Sequence, residues 1–282
     1  MTLVRNIALF AAMLAAACSS AQATGAQDDD HLSAILRNFD RNEPFYVLGG
    51  TSPANLKLQF SFRYQTFGDT KSESCLEKEN VYIGMTITGF WNLAADSAPF
   101  EDTNYKPELI YACKSSFSNS SPYVPAIHWR AAARHESNGK GGPESRSLNK
   151  VYIEPALEWG ESPSVQFRLA PRVWTYFAIA SENADVAKFL GHASLAASLS
   201  QKDKWLFRVT GQRGDQARRG NLTVDASIWP NWFFKTESLP NLYWHFQYFT
   251  GYGENLINYD NRMIKALNRS STRFRIGFSI VP

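Results

Sequence analysis

Cysteine is scarce in this chain, three in 282 residues. Cys18 lies in an N-terminal leader, and Cys75 and Cys113 lack metal-ligand spacing, so no cysteine-based metal centre is expected. Long apolar runs are equally scarce. Beyond the leader no stretch approaches the roughly 20 unbroken apolar residues of a membrane-spanning helix, which excludes a helical membrane protein. An excess of one charge is missing too. Lys and Arg number 29 against 26 Asp and Glu, giving a net charge of +3 with no polybasic patch, which argues against a nucleic-acid partner. Charged residues make up only 20% of the chain and aromatic residues 14%, a balance that suits one large β-domain.

Residues 1–23 read as a secretory signal peptide. Arg5 precedes the apolar run Ile7–Cys18, and Ala21-Gln22-Ala23 offers small residues for cleavage after Ala23. Lipidation at Cys18 is the alternative, although Ala15 stands where a bulkier aliphatic is usual. Export places Cys75 and Cys113 in an oxidising compartment where a disulfide is permitted, with two unpaired small apolar side chains as the competing reading. Residues 24–43 form an N-terminal periplasmic segment, with a short helical pattern at Leu32, Ile35, Leu36 and Phe39.

From residue 44 to 282 the period becomes two. Leu56, Leu58, Phe60, Phe62 and Tyr64 alternate with Lys57, Gln59, Ser61, Arg63 and Gln65, and later segments repeat the pattern. About twelve candidate strands follow, with a loop expected over Ala94–Asn104 before a strand from Lys106, and another strand expected over Phe189–Leu199. A β-sandwich also alternates, but these strands run long and their Trp and Tyr gather near strand ends. The expectation is all-β: a twelve-stranded antiparallel transmembrane β-barrel. Its many lumen-facing Arg, Lys, Glu and Gln suggest a plugged interior.

The chemistry concentrates in Ala133–Tyr152. His135 and Ser137 are two apart and so share a strand face, and Asn149 follows a Gly- and Ser-rich loop that a hairpin could fold about. If the register places Ser137 near Asn149, the amide can reach the imidazole, which completes nucleophile, base and orienting group. On both strands the odd-numbered face is the apolar one, carrying Ile127, Trp129 and Ala131 before the loop and Val151, Ile153 and Leu157 after it. In a membrane barrel the apolar face meets lipid. The three polar groups therefore belong to the outside wall, where polar groups are costly unless they serve a function.

The motif His135-Glu136-Ser137-Asn138-Gly139, with Pro143-Glu144-Ser145-Arg146-Ser147-Leu148-Asn149-Lys150 after it, resembles the outer membrane phospholipase A family of Gram-negative bacteria. Lys57–Phe62, Pro99-Phe100 with Thr103–Tyr105, and Gly251–Tyr259 resemble family segments in the same order. The resemblance implies calcium-dependent release of fatty acids from phospholipids by an outer membrane homodimer. It further implies Ser137 as nucleophile, His135 as general base, Asn149 as the orienting group and the Gly139 amide as part of the oxyanion hole. Calcium would be held by the Ser145 hydroxyl, the Lys140 carbonyl and, from the second subunit's loop, the carbonyl of Ser97. Ile87 stands where the family has a Gln in the dimer strand.

A competing expectation is a non-catalytic barrel, structural or a narrow pore, that kept the fold. His31, His128, His192 and His245 read as lumen or surface histidines, and Gly251–Glu254 as a strand end with its loop rather than a phosphate cradle, since no helical pattern follows it.

Overall fold

The computed structural model describes residues 36–50, 55–66, 80–115, 124–161, 163–230, 242–262 and 271–280. Two compact units divide at Asn38 and Phe39, and the second, Phe39–Pro282, holds the sheet. The expected secretory signal, Cys18 and Cys75 lie outside the described residues. Cys113 is disulfide-bonded, to a partner also outside them.

After the two-residue β1 (Phe39–Asp40) the chain forms twelve longer strands. They are β2 (Phe45–Gly50), β3 (Leu56–Gln65), β4 (Val81–Trp91), β5 (Phe100–Ser115), β6 (Ala126–Ser137), β7 (Ser147–Trp159), β8 (Val165–Ile179), β9 (Ala193–Gln201), β10 (Trp205–Arg213), β11 (Gly220–Ile228), β12 (Tyr243–Gly251) and β13 (Arg273–Ile280). Each pairs antiparallel with its chain neighbours, and β13 returns to β2 with Ile276 opposite Gly49 and Ile280 opposite Phe45. The sheet is thus a closed twelve-stranded barrel with no free edge. Among the described residues no helix is long and apolar enough to cross a membrane.

The wall is inverted relative to a soluble core. Phe62, Ile83, Leu109, Val151, Ile153 and Phe274 are among the exposed apolar side chains, while Glu108, Arg134, Gln247 and Arg275 are buried. On β6 and β7 the odd residues face out, as the alternation predicts, because Ala132, Arg134, Tyr152 and Ala156 are the buried ones. An exterior of this kind suits hydrocarbon, and the backbone is satisfied by the ladder.

The lumen is cross-linked by charge. Glu108 accepts from Arg134 at 2.7 Å, Arg130 at 3.2 Å and the Tyr152 hydroxyl at 2.6 Å. Nearer the rim that carries the β6–β7 loop, Lys57 donates to Gln247 at 2.9 Å and lies 3.6 Å from Glu254, which also pairs with Arg275. Buried charges survive only when so paired, and removing one partner leaves the other stranded. The segment between β1 and β2 joins the network. Asn42 donates to Glu108 at 3.3 Å and accepts from Arg130 at 2.6 Å, while Glu43 lies 3.6 Å from Arg134 and 3.9 Å from Arg172. Pro44, with no N–H for a ladder, breaks the strand there and lets the segment turn inward.

Three expected boundaries shift. Glu101–Asn104 are strand rather than loop: Asp102 and Asn104 are polar because they face the lumen, where they accept from Ile257 N at 3.0 Å and Leu256 N at 3.2 Å. Phe189 does not start a strand. It sits in a short helix, α1 (Val186–Leu190), where Val186 and Phe189 pack with Leu148, Leu256 and Tyr259 over the barrel mouth. Gly191, at φ 58°, ends that helix, and β9 starts at Ala193. At the N-terminal side Phe39 opens β1 instead of closing a helical turn, pairing with Tyr64 on β3.

Candidate active site

The hairpin β6–β7 places the singled-out residues on one patch of outer wall. Its register sets His135 directly opposite Asn149 and Ser137 opposite Ser147, so Ser137 is the diagonal neighbour of Asn149 on the same face and the amide does reach the imidazole. The direct pair serves the chemistry better, since cross-strand neighbours have Cβ atoms about 5 Å apart. His135 Nδ1 lies 2.9 Å from Asn149 Oδ1. An amide oxygen only accepts, so Nδ1 carries the proton and Nε2 keeps its lone pair. Ser137 follows His135 on the same face, about 7 Å along the strand. Among the described residues its hydroxyl makes no hydrogen bond to the imidazole, a contact that in free enzymes often tightens only with substrate.

Apolar groups surround these three. Tyr105 on β5 lies opposite Ser137, and Leu109 and Val151 are exposed on the same wall. Between Asn149 and Lys150 the β7–β8 register slips, which leaves Phe177 as an extra residue. Its ring is the most exposed large apolar group of the wall, at 62%. A bulge beside the site re-aims this ring outward.

The loop 138–146 is held from within. Asn138, 4% exposed, accepts from Lys140 N at 3.3 Å and Arg146 N at 3.0 Å and donates to Glu144 O at 2.9 Å. Gly139 has φ 67°, the backbone conformation that favours glycine, and a Cβ there would lie 3.2 Å from the Tyr105 ring, a tight contact. Opposite Ser137, Ser147 is clamped by Asn183 from the β8–β9 connection: its N–H donates to Asn183 Oδ1 and its carbonyl accepts from Asn183 Nδ2, both at 3.1 Å.

Lys140 and Ser145 share this loop. The Lys140 ammonium donates to Glu101 O and Glu144 Oε2, each at 3.0 Å, and Arg146 donates to Pro143 O and Ser145 O. The Ser145 hydroxyl is without a hydrogen-bond partner among the described residues. Ser97 lies exposed in the β4–β5 loop with φ 60°, and no hydrogen bond joins it to Lys140 or Ser145 within one chain. Hydroxyl and carbonyl oxygens are hard, neutral donors that fit calcium, weakly in the absence of a carboxylate. No group of three His, Cys, Asp or Glu with metal-site geometry occurs among the described residues, which leaves a site of this oxygen type untouched.

In the sequence Asn138 and Tyr105 stand in family-like motifs without a role, and Asn183 and Phe177 go unmarked. The Asn138-Gly139 dipeptide carried a turn signal; Tyr105 acts through strand pairing, Phe177 through a bulge and Asn183 through hydrogen bonds to Ser147, none of which a local pattern encodes.

A family model described as phospholipase A1 matches residues 28–279. The chain belongs to the phospholipase A1 family. The phospholipase A1 of Proteus vulgaris is 25% identical over 186 residues, 64% of this chain and 59% of that one, so this phospholipase A1 family member spans about three-fifths of that relative's length. Outer membrane phospholipase A from Escherichia coli superposes with a TM-score of 0.68 at 20% identity, covering 86% of this chain and 98% of that one. A Salmonella typhi outer membrane phospholipase, a dimer with bound calcium, gives 0.67 at 20% identity, covering 86% and 91%. At that identity the likeness establishes the barrel fold.

Proposed function

We propose that this chain is an outer membrane phospholipase that hydrolyses acyl ester bonds of phospholipids at either glycerol position (A1 and A2) and of lysophospholipids, with residues 1–23 as its export signal. The observation that carries this reading is the His135 Nδ1–Asn149 Oδ1 hydrogen bond on the lipid-facing wall, one strand step from Ser137. A lipid ester at the height of the β6–β7 loop meets these groups without leaving the bilayer.

In the reaction Ser137 Oγ attacks the ester carbonyl carbon while His135 Nε2 takes the hydroxyl proton. Asn149 holds the ring in the tautomer that leaves Nε2 free, and its neutral amide avoids exposing a carboxylate to hydrocarbon. The Gly139 N–H, fixed by a left-handed turn, supports the oxyanion. His135 then returns the proton to the departing glyceryl oxygen, and a water activated by the same nitrogen releases the fatty acid from Ser137. The Ser145 hydroxyl, the Lys140 carbonyl and that of Ser97 of the partner subunit would hold calcium, whose charge adds to oxyanion stabilisation.

The need for a second subunit's loop supports a homodimer through the barrel wall. Ile87 lies half-buried on the outer face of β4, flanked by Phe60 and Tyr105, so this contact is apolar in the present chain. The cross-linked lumen disfavours the pore alternative.

The test is Ser137→Ala in refolded full-length protein, assayed on a short-chain phospholipid in detergent with calcium and then with chelator. Hydrolysis should vanish in the variant and fall with chelation, while the heat-modifiable gel mobility of a folded barrel stays unchanged. Full activity in Ser137→Ala would refute the assignment.

A further inference from the structure

We propose that Asn138 is a positioning residue for acyl transfer: its buried carboxamide holds the β6–β7 loop in the shape that fixes the Gly139 backbone beside Ser137. The inference rests on the reading of Ser137 as nucleophile given above.

Asn138 follows Ser137 directly, and strand alternation turns its side chain inward as that of Ser137 turns out. There it makes three hydrogen bonds to the backbone of its own loop, to Lys140 N at 3.3 Å, Arg146 N at 3.0 Å and Glu144 O at 2.9 Å, while its backbone N donates to Arg146 O at 3.1 Å. These contacts span the loop from one end to the other. They use both acceptor positions of the amide oxygen and one donor of the nitrogen.

Few side chains could replace it. Aspartate keeps the two accepted bonds but loses the donor and sets a carboxylate against the Glu144 carbonyl. Serine is too short to reach both sides, and glutamine adds a methylene at a site 4% exposed. Beside Asn138, the only other side-chain tie from this end of the loop to its far end among the described residues is the exposed Lys140–Glu144 ion pair at 3.0 Å, which leaves the Lys140 N–H to Asn138 alone. Without the amide, the left-handed Gly139 would be free to rotate its N–H away from the ester oxygen, and a misplacement of about 1 Å at a reacting centre costs on the order of 100-fold in rate. Substrate binding, which rests on the apolar wall of Tyr105, Leu109, Val151 and Phe177, would be untouched.

The experiment compares kcat and KM of Asn138→Ala, Asn138→Asp and Ser137→Ala, as refolded full-length protein on a short-chain phospholipid in detergent with excess calcium. Hydrogen exchange of peptides covering residues 138–146 is measured alongside. Expected are a kcat about 100-fold lower in Asn138→Ala, about tenfold lower in Asn138→Asp with two of three side-chain bonds kept, KM unchanged in both, and faster exchange in that loop alone. Wild-type kcat in Asn138→Ala with Ser137→Ala inactive would overturn the positioning role and leave the nucleophile standing. Activity in Ser137→Ala would instead remove the reading beneath it. A loss in both Asn138 variants that tracks the folded fraction on gels, or exchange that quickens throughout the barrel, would also overturn it.

Discussion

Replacing Asn149 with alanine isolates the contribution of the orienting group. The 2.9 Å bond to His135 Nδ1 does two things that end when it is removed. In the proposed reaction it selects the tautomer with Nε2 unprotonated and stabilises the imidazolium that forms as the Ser137 proton arrives. A neutral hydrogen bond is worth about 1 kcal/mol net, and one to a charged group about 1.5–3 kcal/mol. The difference, about 0.5–2 kcal/mol, appears only in the transition state, so kcat should fall roughly 2- to 30-fold in Asn149→Ala with little change in KM. Asn149→Asp keeps the acceptor and should lose less, although a carboxylate half-exposed to hydrocarbon costs desolvation. Initial rates over a range of short-chain phospholipid, at constant detergent and calcium, separate kcat from KM. A wild-type kcat in Asn149→Ala would refute the reasoning, as would a fall confined to KM.

Gly139→Ala forces a side chain into a φ of 67° and to 3.2 Å from the Tyr105 ring, so kcat should drop about 100-fold while the barrel still folds on gels. Glu108→Ala takes the nearest carboxylate from Arg130 and Arg134, leaving Arg130 with the neutral Asn42 and Tyr152 and Arg134 with Glu43 at 3.6 Å; denaturant unfolding should report a loss of about 3 kcal/mol, and activity at low temperature should survive because the site is on the other side of the wall. Glu254 titrates in the sense that favours neutral pH. Burial raises its pKa, but Lys57 and Arg275 outweigh burial and hold it below the usual carboxylate range. The pair's contribution is therefore full above the unfolded value near 4.5 and fades as pH falls through the lower folded value. Glu254→Gln should flatten the acid limb of thermal stability below pH 4.5 and leave stability less dependent on pH there.

Much of this was legible from alternation alone, because a barrel wall has two solvents and each leaves its mark every second residue. Val151 and Ile153 announced the outer face, and Asn149 stood out by breaking it. Glu101–Asn104 misled for the same reason in reverse: polar residues usually signal a loop, but here Asp102 and Asn104 face a polar lumen and hold down the last loop's backbone. Phe189 misled because one turn of helix and a short strand share an apolar spacing. The exact register of the hairpin, with His135 directly opposite Asn149, is set by the number of residues in the loop between the strands, and no periodicity reports that number.

The two sides of the wall divide the work. Charge that would be ruinous against lipid is sequestered inside, where Glu108, Arg130, Arg134 and Tyr152 lock β5, β6 and β7 at fixed spacing. That lock lies on the inner face of the strands that present His135 and Asn149 outward. A strand pair able to slide or twist would misalign an imidazole and an amide that meet across the ladder at 2.9 Å. Because the rigidity comes from the lumen, the outer patch needs few polar groups beyond the proposed triad. The surface around them, Tyr105, Leu109, Val151 and Phe177, is then free to be as apolar as the acyl chains of the proposed substrate.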